Sequence, residues 1–467
     1  MILLAHSYFL RDDPKQLARM KPYPPLSTLL AGSLLRERGH EPAFFDAMLA
    51  PDLESFGAAL DACRPSIVGI LEDNFNFLTK MCTLRMREAT LEMIRMARER
   101  GCAVAVNGSD SSDRAALYLA VGADAVILGE GEMAFAELAD VWSRTRSAEI
   151  DQIAGLALPG RNGAVRFTPP RPGISDLDAL PLPAWDLVDA DAYREAWTGA
   201  HGRTSWNMAT SRGCPFGCNW CAKPIFGRRY AQRSAEAVAL EMRRLKDDIA
   251  PEHIWFADDI FGLTGEWIHA FAAEVARLGA RTPFMIQSRC NLMRPAVAAA
   301  LAEAGAEEVW MGIESGSQKV LDAMEKGTRV EDARTATRTL RSNGIRACWF
   351  IQLGYPSESW DDLIRTRDLI RDEEPDEIGV SVAYPLPGTK FHERVMLQLG
   401  SKRNWDDTDD LAMLFDGTYS TPFYRRVRDL LHREASARTP DARSWAALQE
   451  VEESFRTAEP LTLAAEG

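Results

Sequence analysis

Residues 212–221 read RGCPFGCNWC, with Cys214, Cys218 and Cys221 separated by three and then two residues and no fourth cysteine close enough in the chain to complete a tetrahedral set. The stretch is preceded by "SWNMAT" (205–210), a short apolar run of strand character, and followed by a helical pattern over 235–246. The three thiols therefore sit in a strand-to-helix loop. Two metal chemistries suit them. A structural zinc would take the three thiolates and a histidine such as His201 or His253, although a spacing of three is unusual for zinc and neither histidine lies in a typical register. A cubane iron-sulfur cluster would be held by the three thiolates alone, leaving one iron without a protein ligand. An open coordination position is what a metal needs in order to act on a bound molecule.

Outward from this loop, strands and helices alternate. Downstream come "HIWFA", "FMIQ", "VWMGI", "CWFIQL" and "EIGVSVA", each followed or separated by an amphipathic helical stretch. With "SWNMAT" this makes about six strand-helix units. Eight close a full barrel, so an open parallel barrel is expected over 205–399, with the cysteines at the strand end where active sites gather. Upstream, over 1–150, "ILLA", "AFF", "SIVGI", "AVAV" and "DAVIL" alternate with helical segments, predicting a doubly wound parallel sheet of about five strands. Between the two, residues 151–204 are rich in Pro and Gly and read as a hairpin and extended linker; residues 400–467 read as a helical tail. The fold class is α/β.

Composition narrows the function. Fifty-four Lys plus Arg against 68 Asp plus Glu give a formal charge of -14, which argues against general affinity for nucleic acid or anionic membranes. No apolar run approaches the roughly 20 residues that cross a bilayer, and the start carries no basic n-region, so a cytoplasmic protein is expected. The remaining cysteines, Cys63, Cys82, Cys102, Cys290 and Cys348, are scattered among apolar neighbours and read as small packing residues.

The motif C-x3-C-x-aromatic-C, placed after the first barrel strand, resembles the signature of the radical S-adenosylmethionine (SAM) superfamily. That resemblance implies a 4Fe-4S cluster on Cys214, Cys218 and Cys221, with SAM chelating the open iron and Trp220 beside its adenine. Later strand ends extend the likeness. "FADDIF" offers Asp258 and Asp259 to the SAM amino group, or a helix N-cap pair; "IQSRCN" offers Ser288 and Arg289, the latter to the SAM carboxylate. "GIESGSQ" offers Glu314 to the ribose hydroxyls, and "QLGYPSES" offers Gly354 to the adenine, with Glu358 either at that site or capping a helix.

"PPLSTLLAGSLLRERGHEPAFFDA", "RPSIVGI", "GADAVILGEGE" and "AYPLPGT" resemble a branch of the superfamily that carries an N-terminal cobalamin-binding domain. The resemblance implies cobalamin contacts from Leu26, Asp73, Asn74, Gly108, Ser109, Gly129, Glu130 and Gly131, with "EDNFNFLTK" facing the corrin or its asparagines forming an Asx-turn. No D-x-H-x-x-G loop is present, so a cobalt without a histidine ligand is expected. The chemistry implied is reductive cleavage of SAM, hydrogen removal from an unactivated carbon of a small molecule, and methyl transfer through cobalamin, with electrons from a donor such as flavodoxin or ferredoxin. The segments also resemble the anaerobic magnesium-protoporphyrin monomethyl ester cyclase group, whose implied outcome is oxidative cyclisation. A non-catalytic cobalamin or redox sensor is the alternative from another class.

Overall fold

The computed structural model describes residues 1–73, 83–144, 148–221, 225–399 and 413–457. The chain forms two compact units, one of residues 1–214 and 223–259, the other of residues 215–222 and 260–467.

The first unit is built on a seven-stranded sheet of β1 (Ile2–Ala5), β2 (Pro42–Phe45), β3 (Ile67–Leu71), β4 (Ala103–Asn107), β5 (Ala125–Ile127), β6 (Leu156–Pro159) and β7 (Val165–Phe167). Its order is β2-β1-β3-β4-β5-β6-β7, and β1 to β5 are parallel. Apolar residues on both faces explain why: Leu3, Ala5, Val68, Ile70, Val104 and Val106 face Phe56, Leu60, Met93 and Ile94 of the helices Glu54–Cys63 and Thr83–Glu99. Ile2, Leu4, Ile67, Ala103 and Ala105 face Leu34, Leu35, Phe135 and Leu138 of the helices Leu26–Glu37 and Glu132–Arg144. The sheet is thus wound on both sides, as expected. The hairpin expected after residue 150 does more than link: β6 pairs antiparallel with β5 and β7 with β6, so the five expected strands become a mixed sheet of seven.

The direction of winding reverses between β1 and β3: the helix Leu26–Glu37, between β1 and β2, and the helix Thr83–Glu99, between β3 and β4, pack on opposite faces of the sheet. Open parallel sheets bind ligands at this point. The same unit contains the parallel pair β8 (Ser205–Met208) and β11 (His253–Phe256), with a short antiparallel ladder of β9 (Ser211–Arg212) and β10 (Ala231–Gln232).

In the second unit β12 (Phe284–Ser288), β13 (Ala306–Glu314), β14 (Arg346–Leu353) and β15 (Glu377–Val382) pair consecutively and in parallel. Val309, Met311, Trp349 and Ile351 are buried; Trp349 donates its indole N–H to Thr337 in the helix Val330–Ser342 at 3.0 Å. Counting β8 and β11 of the first unit, the six parallel strands expected for the barrel are all present. The expected helical tail contributes Thr421–Ala437 and Ala442–Glu450; residues 400–412 and 458–467 lie outside the described residues.

Candidate active site

In the first unit the chain reaches the cysteine loop under tight control. Asp258, directly beyond β11, accepts the Thr210 amide at 3.0 Å, the Thr210 hydroxyl at 2.8 Å and the Ser211 hydroxyl at 2.5 Å. Burial pushes its carboxyl up to about 7, against the pull of the Ser211 and Thr210 hydrogen bonds. Asp258 therefore staples the end of β8, while Asp259, its expected equal, is exposed. Arg212 follows. Its guanidinium, 3 % exposed, donates to Glu130 at 2.6 Å and to Glu132 at 3.0 Å, both carboxylates equally buried. Glu130, expected at a cobalamin, is thus tied to the strand that enters the cysteine loop. Gly213 sits at φ 79°, and a Cβ there would run into the Arg229 carbonyl, so only glycine makes this turn into Cys214.

The strand ends of the first sheet hold the other residues expected at cobalamin. Leu26 opens its helix and is buried; Asp73 accepts the Ser27 amide at 3.5 Å; Asn74 lies outside the described residues. Ser109 begins the short helix Ser109–Asp113. The glycines differ in kind. A Cβ on Gly108 would strike the Glu72 carboxylate and one on Gly131 the Asn107 amide, so both are small because their own chain fills the space. Gly129, at φ 73°, has open space where a side chain would be. Beneath this edge lies a polar core that the sequence did not announce. Arg87 holds Asp110 through two contacts of 2.7 and 2.5 Å, Tyr118 donates to Asp110 at 2.6 Å, and burial, with Asp110 nearby, pushes Glu72 up to about 8. His6 is buried with its Nε2 2.9 Å from Asp46, and His40 Nε2 is 2.7 Å from Asp140.

In the second unit the loop residues Phe216 to Cys221 are pinned from several directions. The Asn219 amide N–H reaches the Met324 carbonyl at 3.0 Å, its side-chain NH2 the Ala323 carbonyl at 2.8 Å, and its side-chain oxygen accepts the Tyr355 hydroxyl at 2.9 Å. The Asn219 carbonyl in turn accepts the Phe391 amide at 3.0 Å. Trp220 packs against the apolar cluster that contains Val320, Met324, Tyr355 and Phe391, and its indole N–H is buried without a hydrogen-bond partner. Asn219→Ala is expected to destabilise the chain by roughly 1–3 kcal/mol, since buried partners at Ala323 and Tyr355 lose their hydrogen bonds. Chemical denaturation of the two chains checks it; equal midpoints would show the loop held by backbone alone.

Arg289 reaches this loop from the end of β12. Its Nη1 lies 3.4 Å from the Cys218 sulfur, Nε 3.3 Å from Asn291 Oδ1, and Nη2 donates to the Lys326 carbonyl. Its guanidinium also lies over the Phe216 ring, 3.9 Å from the centroid. Ser288 is buried, its hydroxyl 3.5 Å from the Phe261 carbonyl. Glu314 is delivered by a break in β13: the register shifts between Gly312 and Glu314, and Glu314 takes φ 65°. Its carboxylate accepts the Lys326 ammonium at 2.7 Å, both side chains about 6 % exposed. Burial works against the Lys326 charge, but Glu314 and Cys218 outweigh it and hold its pKa above the ordinary value.

Gly354 takes φ 77° at the end of β14, and a Cβ would meet Met413 at 3.0 Å and Tyr424 at 3.2 Å. Its amide donates to Glu358 at 2.6 Å. Of the two roles open to Glu358, capping is excluded: the helix Trp360–Glu373 is capped by Ser359 and Asp362, while Glu358 braces the Gly354 turn. Burial pushes Glu358 up to about 8. The folded chain then keeps a proton that the unfolded chain releases above about 4.5, so stability falls as pH rises between those values. A loss of about 1 kcal/mol from pH 6 to pH 7 is expected from this group. Glu358→Gln should flatten that part of the thermal-midpoint profile, and parallel profiles would mean an ionised Glu358.

Residues 208–370 match the sequence profile of the Radical SAM superfamily. The chain carries a radical SAM domain. It is similar to an uncharacterised methyltransferase of Pyrococcus horikoshii, 34% identical over 271 residues that take in 58% of this chain and 57% of that one. It is also similar to the anaerobic magnesium-protoporphyrin IX monomethyl ester cyclase of Rubrivivax gelatinosus, 27% identical over 60% of this chain and 49% of that protein. In both cases the matched region is little more than half of the relative, or less. Among solved structures, the radical SAM methyltransferase TsrM from Kitasatospora setae, with cobalamin and a 4Fe-4S cluster bound, shares the fold at a TM-score of 0.70 and 20% identity, over 87% of this chain and 76% of that one.

Within the radical SAM domain the donor set suits a cubane: three cysteines in one short loop, soft ligands of the kind iron-sulfur clusters take. Among the described residues no three His, Cys, Asp or Glu side chains converge as ligands of a single ion; a cubane instead places each thiolate on a separate iron. Phe216, Asn219, Lys326 and Arg212 were not singled out from the sequence. Only Asn219 carried a local signal, as the polar residue inside "CNWC".

Proposed function

We propose that the chain is a cobalamin-dependent radical SAM enzyme that methylates an unactivated carbon of a small molecule. The observation that carries this reading is the cysteine loop itself, built from the superfamily motif and fixed by Asn219 and Arg289 beside a free Cys218 thiol. Cys214, Cys218 and Cys221 would hold the 4Fe-4S cluster. Trp220, Ser288, Arg289, Glu314 and Gly354 would line the SAM site, and the loops after β1, β3, β4 and β5 would hold cobalamin at the point where the sheet reverses its winding. When bound, these groups supply an electron, a radical source and a methyl carrier.

The chain's own part is positional. Asn219 fixes the loop backbone, so the reacting centres keep one geometry. Glu314, turned inward at φ 65°, presents a carboxylate that can accept two hydroxyls once it shares or releases Lys326. The buried surroundings of Trp220 and Tyr355 exclude water from radical chemistry. Among the described residues no helix is long and apolar enough to cross a membrane; the proposed setting is the cytoplasm, where thiols stay reduced and a flavodoxin or ferredoxin would serve as donor.

The test is anaerobic reconstitution with iron, sulfide and cobalamin, followed by reduction in the presence of SAM labelled in its methyl group and candidate substrates. Formation of 5'-deoxyadenosine with label in the product is the expected result. An oxidised, unlabelled product would favour the cyclase reading, which the Rubrivivax gelatinosus relative keeps in play. Absence of 5'-deoxyadenosine would favour a sensor.

A further inference from the structure

Arg289 is a buried cation with an unusual set of partners. Among the described residues it meets no carboxylate: its contacts are Asn291 Oδ1, the Lys326 carbonyl, the Phe216 ring and the Cys218 sulfur. A guanidinium cannot shed its proton, and burying its charge without a counter-charge is costly. The neighbouring Lys326 ammonium is already balanced by Glu314 at 2.7 Å, which leaves Arg289 as the uncompensated positive charge beside the loop. The Cys218 sulfur is the cluster ligand within its reach, at 3.4 Å.

We propose that Arg289 sets the reduction potential of the cluster by donating an N–H to the Cys218 sulfur. This inference rests on the cluster assignment made above. A cubane held by three thiolates is anionic and gains a further negative charge when it accepts an electron. Hydrogen bonds to its sulfurs and nearby positive charge therefore favour the reduced form and raise the potential. Burial strengthens the effect, because little water screens the charge. The guanidinium is also fixed in place, gripped by Phe216 on its face and by Asn291 and Lys326 at its other nitrogens. Three of its five N–H groups are engaged in this way. The remaining two are available for the SAM carboxylate, so the role expected from the sequence and the role inferred here are separable. Arg289 is a positioning residue in this second role, acting on the bound molecule through the metal centre.

The experiment is a redox titration of the reconstituted full chain followed by electron paramagnetic resonance, with no SAM present so that carboxylate pairing plays no part. Iron and sulfide content are measured alongside. In Arg289→Gln the midpoint should move to a more negative value, with the ratio of reduced to oxidised cluster at the wild-type midpoint falling about tenfold, equivalent to roughly 59 mV for a one-electron couple. Arg289→Lys, which keeps the charge without the fork, should shift less. An Arg289→Gln chain with wild-type iron content and wild-type midpoint overturns the inference. If that variant fails to take up iron, Phe216→Leu, which frees the guanidinium from its seat, should still lower the midpoint; an unmoved value there overturns it equally. A wild-type chain that binds no iron overturns the cluster assignment itself, before any variant is compared.

Discussion

Arg212→Met is expected to destabilise the protein by about 3–5 kcal/mol, because it leaves two carboxylates buried without their partner. Glu130 and Glu132 each contact the Arg212 guanidinium, at 2.6 and 3.0 Å, and all three side chains are at most 3 % exposed. Removing one member of a buried ion group costs far more than the group as a whole contributes, since the desolvated charges that remain have nowhere to turn. Glu130 keeps Arg229, whereas among the described residues Glu132 has no second cationic partner. Changing Arg212→Met together with Glu130→Gln and Glu132→Gln should recover much of the loss. Urea denaturation of the single and triple variants decides it: a single variant within about 1 kcal/mol of wild type would mean that the triad is weakly coupled. Iron uptake should fall with stability in the single variant, as Gly213 and Cys214 follow directly.

Lys326→Met should have a comparable effect in the second unit, again about 3–5 kcal/mol. Glu314 would be left buried at the end of β13, with its backbone held at φ 65°, a conformation that costs a residue with a side chain of order 1–3 kcal/mol and persists only when its surroundings enforce it. Lys326 is part of that enforcement. A Cβ on Gly312 would meet the Lys326 ammonium at 2.7 Å, so the ammonium lies directly over the strand. The double variant Lys326→Met with Glu314→Gln should be more stable than Lys326→Met alone. If instead the two losses add, the pair is not coupled and Glu314 is held by its backbone. The single variant should also weaken SAM binding, measured by equilibrium dialysis, if Glu314 reaches the ribose only from its present position.

The strands β1, β3, β4 and β5 were legible because each is a short, nearly uniform apolar run, and burial on both faces leaves little else for such a run to be. The hairpin of β6 and β7 was legible as a hairpin, but its union with β5 was not. Edge pairing depends on an exposed ladder that the partner strand's sequence does not name. The cysteine triplet was legible from local spacing. The residues that fix it were not: Arg212 with Glu130, Arg289 with Cys218 and Asn219 with Tyr355 are separated by 82, 71 and 136 positions. A charged or amide side chain in a loop reads the same whether it meets water or a buried partner. Nor did the motif around Asp258, which suggested ligand contact or a helix cap, disclose its hydrogen bonds to Thr210 and Ser211 just beyond β8.

The first unit is not finished when its sheet is. It takes in residues 1–214 and then 223–259, with β8 and β11 among its members. On a ribosome, therefore, more than half of the polypeptide must emerge before this unit can reach its final state, and for much of that time the strands 1–7 stand without the segment that completes them. Domains that close late in synthesis expose apolar surface for longer and depend more on chaperones. A fragment ending at residue 204, before β8, would reproduce that waiting state permanently, and its yield on expression should fall well below that of a fragment ending after residue 259.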